Sequence, residues 1–573
     1  MTMLLIAGEV GLLGSALAAD PLQQTEVGPD LPPVGRSLFD QLVESPDGFR
    51  GRIPFPFAKL VDSIAAQGGC ISAKSNCYQR VLIPLGRSLQ RPAAAPAFFK
   101  HPRMVVGFTG DADGSDERDV PLLKDRLYLG YQEKANLIEV ISFNETAGRF
   151  EFQLVKNYRA GITPELTYAN RVVCMSCHQN FAPLFSRQVW DETNANPNIA
   201  QRLARERTDF EGFPIRIGVD VPNALDDATD RANLLPAYGL LWRNGCDGDR
   251  RCRARALEAA LQYRLTNQRT FGIKSKYFQD EFLSVFEKNW QRHWPNGLKI
   301  PSNDIPNRDP LQFTDSERLA HVPARFEALL PRSHKEIWQW ETDRFRLIKG
   351  IGEFFSRGDI QRLAQKLKIA SDVIRTPEDV DISPGFAQLA RAIERMINDP
   401  KGQAALDAST IQRLPLRNAL FRALGISIGK TCCETEAKLT QARVEETPMV
   451  RVTADDAALN YFYIHCARCH GTSQPFPPNF MRGDRVTVKN RLQQCADRIA
   501  YRLAMWKIEP EQRPKTPMPP AMALPAESSH WVDSSALAAM RAYVAPFADA
   551  ALRSAPAQWL GRSYEALPSC TLH

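Results

Sequence analysis

The sequence predicts a predominantly α-helical, multidomain protein. It has an N-terminal β-containing (α+β) region, a helical middle region and an all-α C-terminal domain. Three observations carry this reading. At 573 residues the chain exceeds what one hydrophobic core organises. Short β-branched and aromatic runs with period-two alternation crowd between positions 78 and 160. Beyond them, apolar residues recur at three- and four-residue steps. The boundaries read from these shifts are 1–19, 20–165, 166–445 and 446–573.

Residues 1–19, MTMLLIAGEVGLLGSALAA, are small and apolar, and Ala16-Leu17-Ala18 resembles a signal-peptidase site. The segment lacks a basic leading region and carries Glu9, so it reads as a truncated or degraded signal peptide. Residues 20–60, rich in Pro and Gly, read as an extended wrapping arm. Val81–Ile83, Met104–Phe108 and Arg126–Leu129 read as strands. Leu137–Phe143 and Phe150–Val155 read as a hairpin turning between Asn144 and Gly148. Helices are expected over Ala254–Leu265, Phe278–Trp290, Ser316–Leu330, His334–Phe355 and Ala387–Ile397. In the last region they are expected over Ala454–His465, Val486–Met505 and Ser534–Ala548.

The net charge is +7 with both signs interspersed and no long basic run. That argues against nucleic acid as a partner. No later stretch holds 18 consecutive apolar residues, so no transmembrane segment is expected in the mature chain.

Two five-residue stretches repeat one pattern: Cys174-Met175-Ser176-Cys177-His178 and Cys466-Ala467-Arg468-Cys469-His470. C-x-x-C-H is the signature of covalent haem attachment. Two thiols at fixed spacing bond the two vinyl groups of the porphyrin, and the adjacent histidine reaches the iron. With 12 Cys and 9 His in the chain, chance yields one such motif with a probability of roughly four in a thousand. A zinc site built from both pairs would need them in one cluster, although 292 positions separate them. A thioredoxin-like pair would need a strand-to-helix turn that neither copy has. The expected cofactors are two covalently bound c-type haems, with iron ligands His178 and His470. Because such haems are attached outside the bacterial inner membrane, the expected location is periplasmic or otherwise exported.

Eight other cysteines remain, an even number that favours disulfides in an oxidising compartment. Cys70–Cys77 and Cys246–Cys252 are the natural local pairs. The run Asn244–Asp249 has the acidic look of a calcium loop but lacks the later Glu, so it reads as a disulfide-closed turn. The vicinal Cys432 and Cys433 are expected to reach elsewhere, to Cys495 and Cys570.

The segment from about 450 onward carries a haem motif on a helix, then Pro475, Pro477 and Pro478. Thr516-Pro517-Met518-Pro519-Pro520 comes about 48 residues after the motif, followed by a closing helix. In these features it resembles a class I cytochrome c, over roughly 100 residues of the chain. The resemblance implies a cytochrome c-like C-terminal domain with Met518 as sixth ligand of the second haem; Met522 and Met505 are the alternatives. A proline carbonyl in the loop after the motif is expected to receive the His470 Nδ1 proton. For the first haem, His101, Met104, His293, His321 and His334 all remain open, as does a five-coordinate iron.

Three functions follow. The first is single-electron transfer between redox partner proteins. The second is a di-haem peroxidase- or oxygenase-like enzyme with an open first haem. The third is an electron-delivery domain joined to a β-rich binding region.

Overall fold

The computed structural model describes residues 31–44, 53–70, 77–110, 120–186, 192–215, 221–305, 334–429, 457–509 and 530–568, except 87, 176, 179, 473–476 and 563. Positions 443, 513, 517–520, 524 and 570 are also described. The expected signal segment, the helix over Ser316–Leu330, His321, Met522 and the Cys432-Cys433 pair lie outside these residues.

Helix outweighs strand, and the largest sheet lies in the N-terminal region. It is a six-stranded antiparallel meander of β1 (Tyr78–Ile83), β2 (Arg103–Phe108), β3 (Leu127–Gln132), β4 (Leu137–Asn144), β5 (Arg149–Lys156) and β6 (Glu165–Tyr168). The expected hairpin is β4–β5, with Phe143 opposite Phe150 and Ile141 opposite Phe152. Register then assigns every side chain to a face. Met104, Val106, Leu129, Ile138 and Val140 share one core with α1 (Leu38–Glu44) and α2 (Phe57–Gln67). Ile141, Phe143, Phe150 and Phe152 point the other way.

The two helices α1 and α2 correct the expectation of an extended arm. Phe39, Leu42 and Val43, then Phe57, Leu60, Val61 and Ile64, form helical stripes buried on the sheet. Pro54 and Pro56 precede α2 rather than interrupt it, so the proline count did not forbid helix.

The motif-bearing α3 (Arg171–Met175) follows β6 directly, so the first motif, contrary to expectation, does follow a strand-to-helix turn; its cysteines stand at and just past the end of that helix and not at its start. Then come α4 (Pro197–Glu206), whose Ile199 and Leu203 complete the first core, and the long α5 (Val221–Leu240). Helices α6 (Arg250–Leu265), α7 (Ser284–His293) and α8 (Pro384–Asn398) build a second core around Trp242, Trp290 and Trp338. Tyr128, Phe143 and Phe150 from the sheet belong to this same core. The expected helix at Phe278 begins as a π-helical turn, Phe278–Leu283, before α7. The helix expected over His334–Phe355 is corrected: His334–Trp338 is a strand paired with Leu298–Pro301, followed by short helices Trp340–Asp343 and Arg346–Gly352. Pairing buries Trp338 against Tyr238, and that contact overrides helical periodicity.

The last region holds α9 (Ala457–His470), α10 (Arg485–Gln494), α11 (Ala496–Ala504) and α12 (Ser535–Val544). The single helix expected over Val486–Met505 is divided at Cys495, which is bonded to Cys570. Cys495 and Cys570 therefore pair with each other rather than with Cys432 and Cys433. The local bridges Cys70–Cys77 and Cys246–Cys252 are present as expected. No described helix is long and apolar enough to cross a membrane.

Candidate functional site

The first motif hangs from the edge of the sheet. Arg171, at the start of α3, donates to the Phe150 carbonyl and to Glu151 on β5, both at 3.0 Å. Glu151 is fully buried and also receives Arg149 at 2.8 Å. Arg149 and Arg171 thus meet the two oxygens of one buried carboxylate, and removing either partner would leave that group short of a hydrogen bond. Five residues are too few to hold a helix by themselves, and this cluster supplies the anchor that α3 lacks. The Arg171 guanidinium covers one region of the Phe152 ring at 5.3 Å, and His178 packs against the same ring at 5.4 Å. Cys174, Met175 and Phe181 join Leu137, Ile141, Phe152 and Leu154 in a small apolar cluster on this face. The His178 Nδ1 lies 2.9 Å from the Ala182 carbonyl.

The second motif is the end of a 14-residue helix. Leu459, Phe462, Cys466 and Ala467 are buried on one face of α9, which packs on α12 with the Phe462 and Tyr543 rings edge-on. The His470 Nδ1 lies 2.7 Å from the Pro478 carbonyl, in the proline loop expected to receive it. Phe480 stacks on the imidazole at 4.2 Å. Burial pushes the His470 imidazole down to about 4; the Pro478 hydrogen bond opposes that shift and the nearby Arg502 charge adds to it. The ring is therefore neutral at neutral pH, the form that binds metals. Burial, with Cys469 beside it, pushes the Cys466 thiol well up, so it stays protonated.

Met518 is half-buried, and its N–H donates to the Arg502 carbonyl at 3.1 Å. The next carbonyl, of Pro519, receives the Trp506 indole N–H, and Trp506, Trp531 and His465 form a row of rings back to α9. Met518 thus stands on a loop tied to the residue whose charge reaches His470. Met505 is fully buried in the helical core, as its place in a helical turn suggests.

Residues around both motifs fit a haem. Each motif offers two thiols and an imidazole whose Nδ1 is engaged, so that ligation of a bound iron would fall to Nε2. Buried polar atoms with no hydrogen-bond partner lie near both motifs: Thr167 Oγ1 on β6 near the first, and Tyr463 OH on α9 itself with Trp531 Nε1 near the second. These O–H and N–H groups are donors of the kind that carboxylates of a bound porphyrin would satisfy. Among the described residues, no three His, Cys, Asp or Glu side chains converge as a cage for a bare metal ion.

The two motifs also meet. The Asn170 amide nitrogen, one residue before α3, donates to the carbonyl of Arg468 inside the second motif, and α3 packs on α9. The Tyr168 N–H of β6 donates to the Arg443 carbonyl at 2.7 Å. Sequence reasoning did not find Asn170, Arg171, Glu151 or Phe152 as parts of the site. Asn170-Arg171 adjoins the motif, but their partners lie 298 and 20 positions away.

Of the residues left open for the first iron, none of those described is placed against His178. His101 is held by Glu133 at 2.9 Å and by Arg207 at 3.2 Å. Met104 points into the α1–α2 core, on the face of the sheet opposite to Phe152. His293 is at the surface beside Arg292 and Trp294. The side chain of His334 lies outside the described residues.

Comparison of the chain with protein-family models, with curated proteins and with solved structures finds no match.

Proposed function

We propose that this chain is a di-haem c-type cytochrome that moves single electrons between redox partner proteins in the periplasm or another exported compartment. One observation carries the reading. In two unrelated local folds, the histidine of a C-x-x-C-H motif has its Nδ1 tied to a backbone carbonyl four or eight residues later. An imidazole held this way is fixed in tautomer and orientation, as an axial ligand must be. Ordinary core packing gives no reason for both motifs to share that bond. Replacing Cys174 and Cys177 by Ala is expected to lower the haem content from two per chain to one by pyridine haemochrome assay. A content that stays at two removes the first motif from the proposal. Met518→Ala is expected to lower the potential of one haem and to let cyanide or carbon monoxide bind it, because the thioether favours the ferrous state. An unchanged titration would move that role to Met522 or Met505.

The second reading is a di-haem peroxidase- or oxygenase-like enzyme with an open first haem. The observation that favours it is the placement of His101, Met104 and His293 away from His178. Carbon monoxide and cyanide titrations in both redox states separate the two readings. Slow or absent binding at both irons supports the carrier, and immediate binding at one supports the enzyme.

A further inference from the structure

We propose that Asn180 and Asn233 form a positioning relay that sets the redox potential of the first haem site. The inference rests on the reading that His178 ligates a haem iron. The chain turns sharply after His178: the Phe181 N–H donates to the His178 carbonyl at 2.8 Å, and Phe181 itself sits at φ +56°. A bulky residue rarely enters that left-handed region, so the turn is imposed by its surroundings. It brings the Ala182 carbonyl back to the His178 Nδ1. The Asn180 Nδ2 donates to the next carbonyl, of Pro183, at 3.1 Å and to the Asn233 Oδ1 on α5 at 3.0 Å. The Asn233 Nδ2 in turn donates to the Pro301 carbonyl at 2.8 Å.

Both carboxamides are 3% exposed. Their orientations are not interchangeable, because flipping either would set oxygen against oxygen. The Asn180 Oδ1 is left with no partner, a burial cost that the two donated bonds hold in place. Ala182 is fully buried in the helical core that α5 helps to build. The helical region therefore holds the acceptor of the His178 proton.

A firmer Nδ1–H···O bond makes the imidazole a stronger electron donor, which favours the ferric iron. No covalent bond is made or broken, and no proton leaves the ring. Asn233→Ala in the full-length protein releases the Asn180 side chain and loosens that acceptor. With two haems still attached, the first-site potential is expected to rise and the second to stay. The electron distribution between the sites then shifts toward the first by about fivefold, the size of one hydrogen bond. A variant lacking Cys466 and Cys469, both replaced by Ala, identifies the first-site midpoint. If Asn233→Ala does not fold, Asn180→Ser is expected to produce the same selective rise. Two haems with unmoved midpoints, or both midpoints moving together, overturn the relay. A wild-type protein with no haem at the first motif overturns the functional reading instead.

Discussion

The two motifs present the same imidazole geometry on opposite kinds of support. The second rides on a 14-residue helix whose buried face continues into the motif cysteine Cys466, inside a helical core. The first rides on five helical residues hung from a sheet edge and clamped by a buried ion cluster. The comparison teaches that a long helix is not what the site needs. Both motifs have a backbone carbonyl on Nδ1 and an anchored start: the Pro478 carbonyl and the body of α9 in one case, the Ala182 carbonyl and the Arg171–Glu151 pair in the other.

The sharpest difference is the covalent closure of the second region. Cys495–Cys570 spans 75 positions, and Arg498 also holds the tail through the Leu567 and Pro568 carbonyls. Cys570→Ser is expected to cost about 4 kcal/mol through loop entropy. Chemical denaturation should show it as earlier unfolding of the second region alone; equal loss at both motifs would erase the distinction.

A smaller effect, dependent on pH, belongs to the imidazole of the second motif. The folded pKa of His470 is depressed to about 4, below the ordinary value of about 6.5. The unfolded chain takes up a proton first, so stability of the haem-free protein is lost as pH falls from about 6.5 toward 4. The loss is at most about 3 kcal/mol. His470→Gln should flatten that slope in pH-dependent melts, and an unchanged slope would assign the titration elsewhere.

The smallest effect probes the junction between the sites. Asn170→Ala removes the amide bond to the Arg468 carbonyl and is expected to cost about 1 kcal/mol. Hydrogen exchange should rise at both α3 and the end of α9. A rise confined to α3 would mean that the sites are supported independently.

Local signals were legible in the sequence where one element decides its own form. The β4–β5 hairpin, α6, α8 and the two short disulfide loops follow from alternation, helical stripes and short loops. Elements decided by distant partners were not legible. His334–Trp338 carries helical spacing but pairs with Leu298–Pro301. The helices α1 and α2 hide among prolines and become evident only against the sheet face that buries Phe39 and Phe57.

By itself, the sequence determined the two C-x-x-C-H motifs, the proline loop that meets His470 and the broad order of strand-rich and helical regions. These depend on residues close together in the chain. Only the tertiary structure decided that Asn170 reaches Arg468, that Glu151 anchors α3, that Met104 faces away from His178 and that Cys495 bonds Cys570. Each of these depends on contacts between residues tens to hundreds of positions apart. Such pairings are selected by packing and buried charge, which no local pattern encodes.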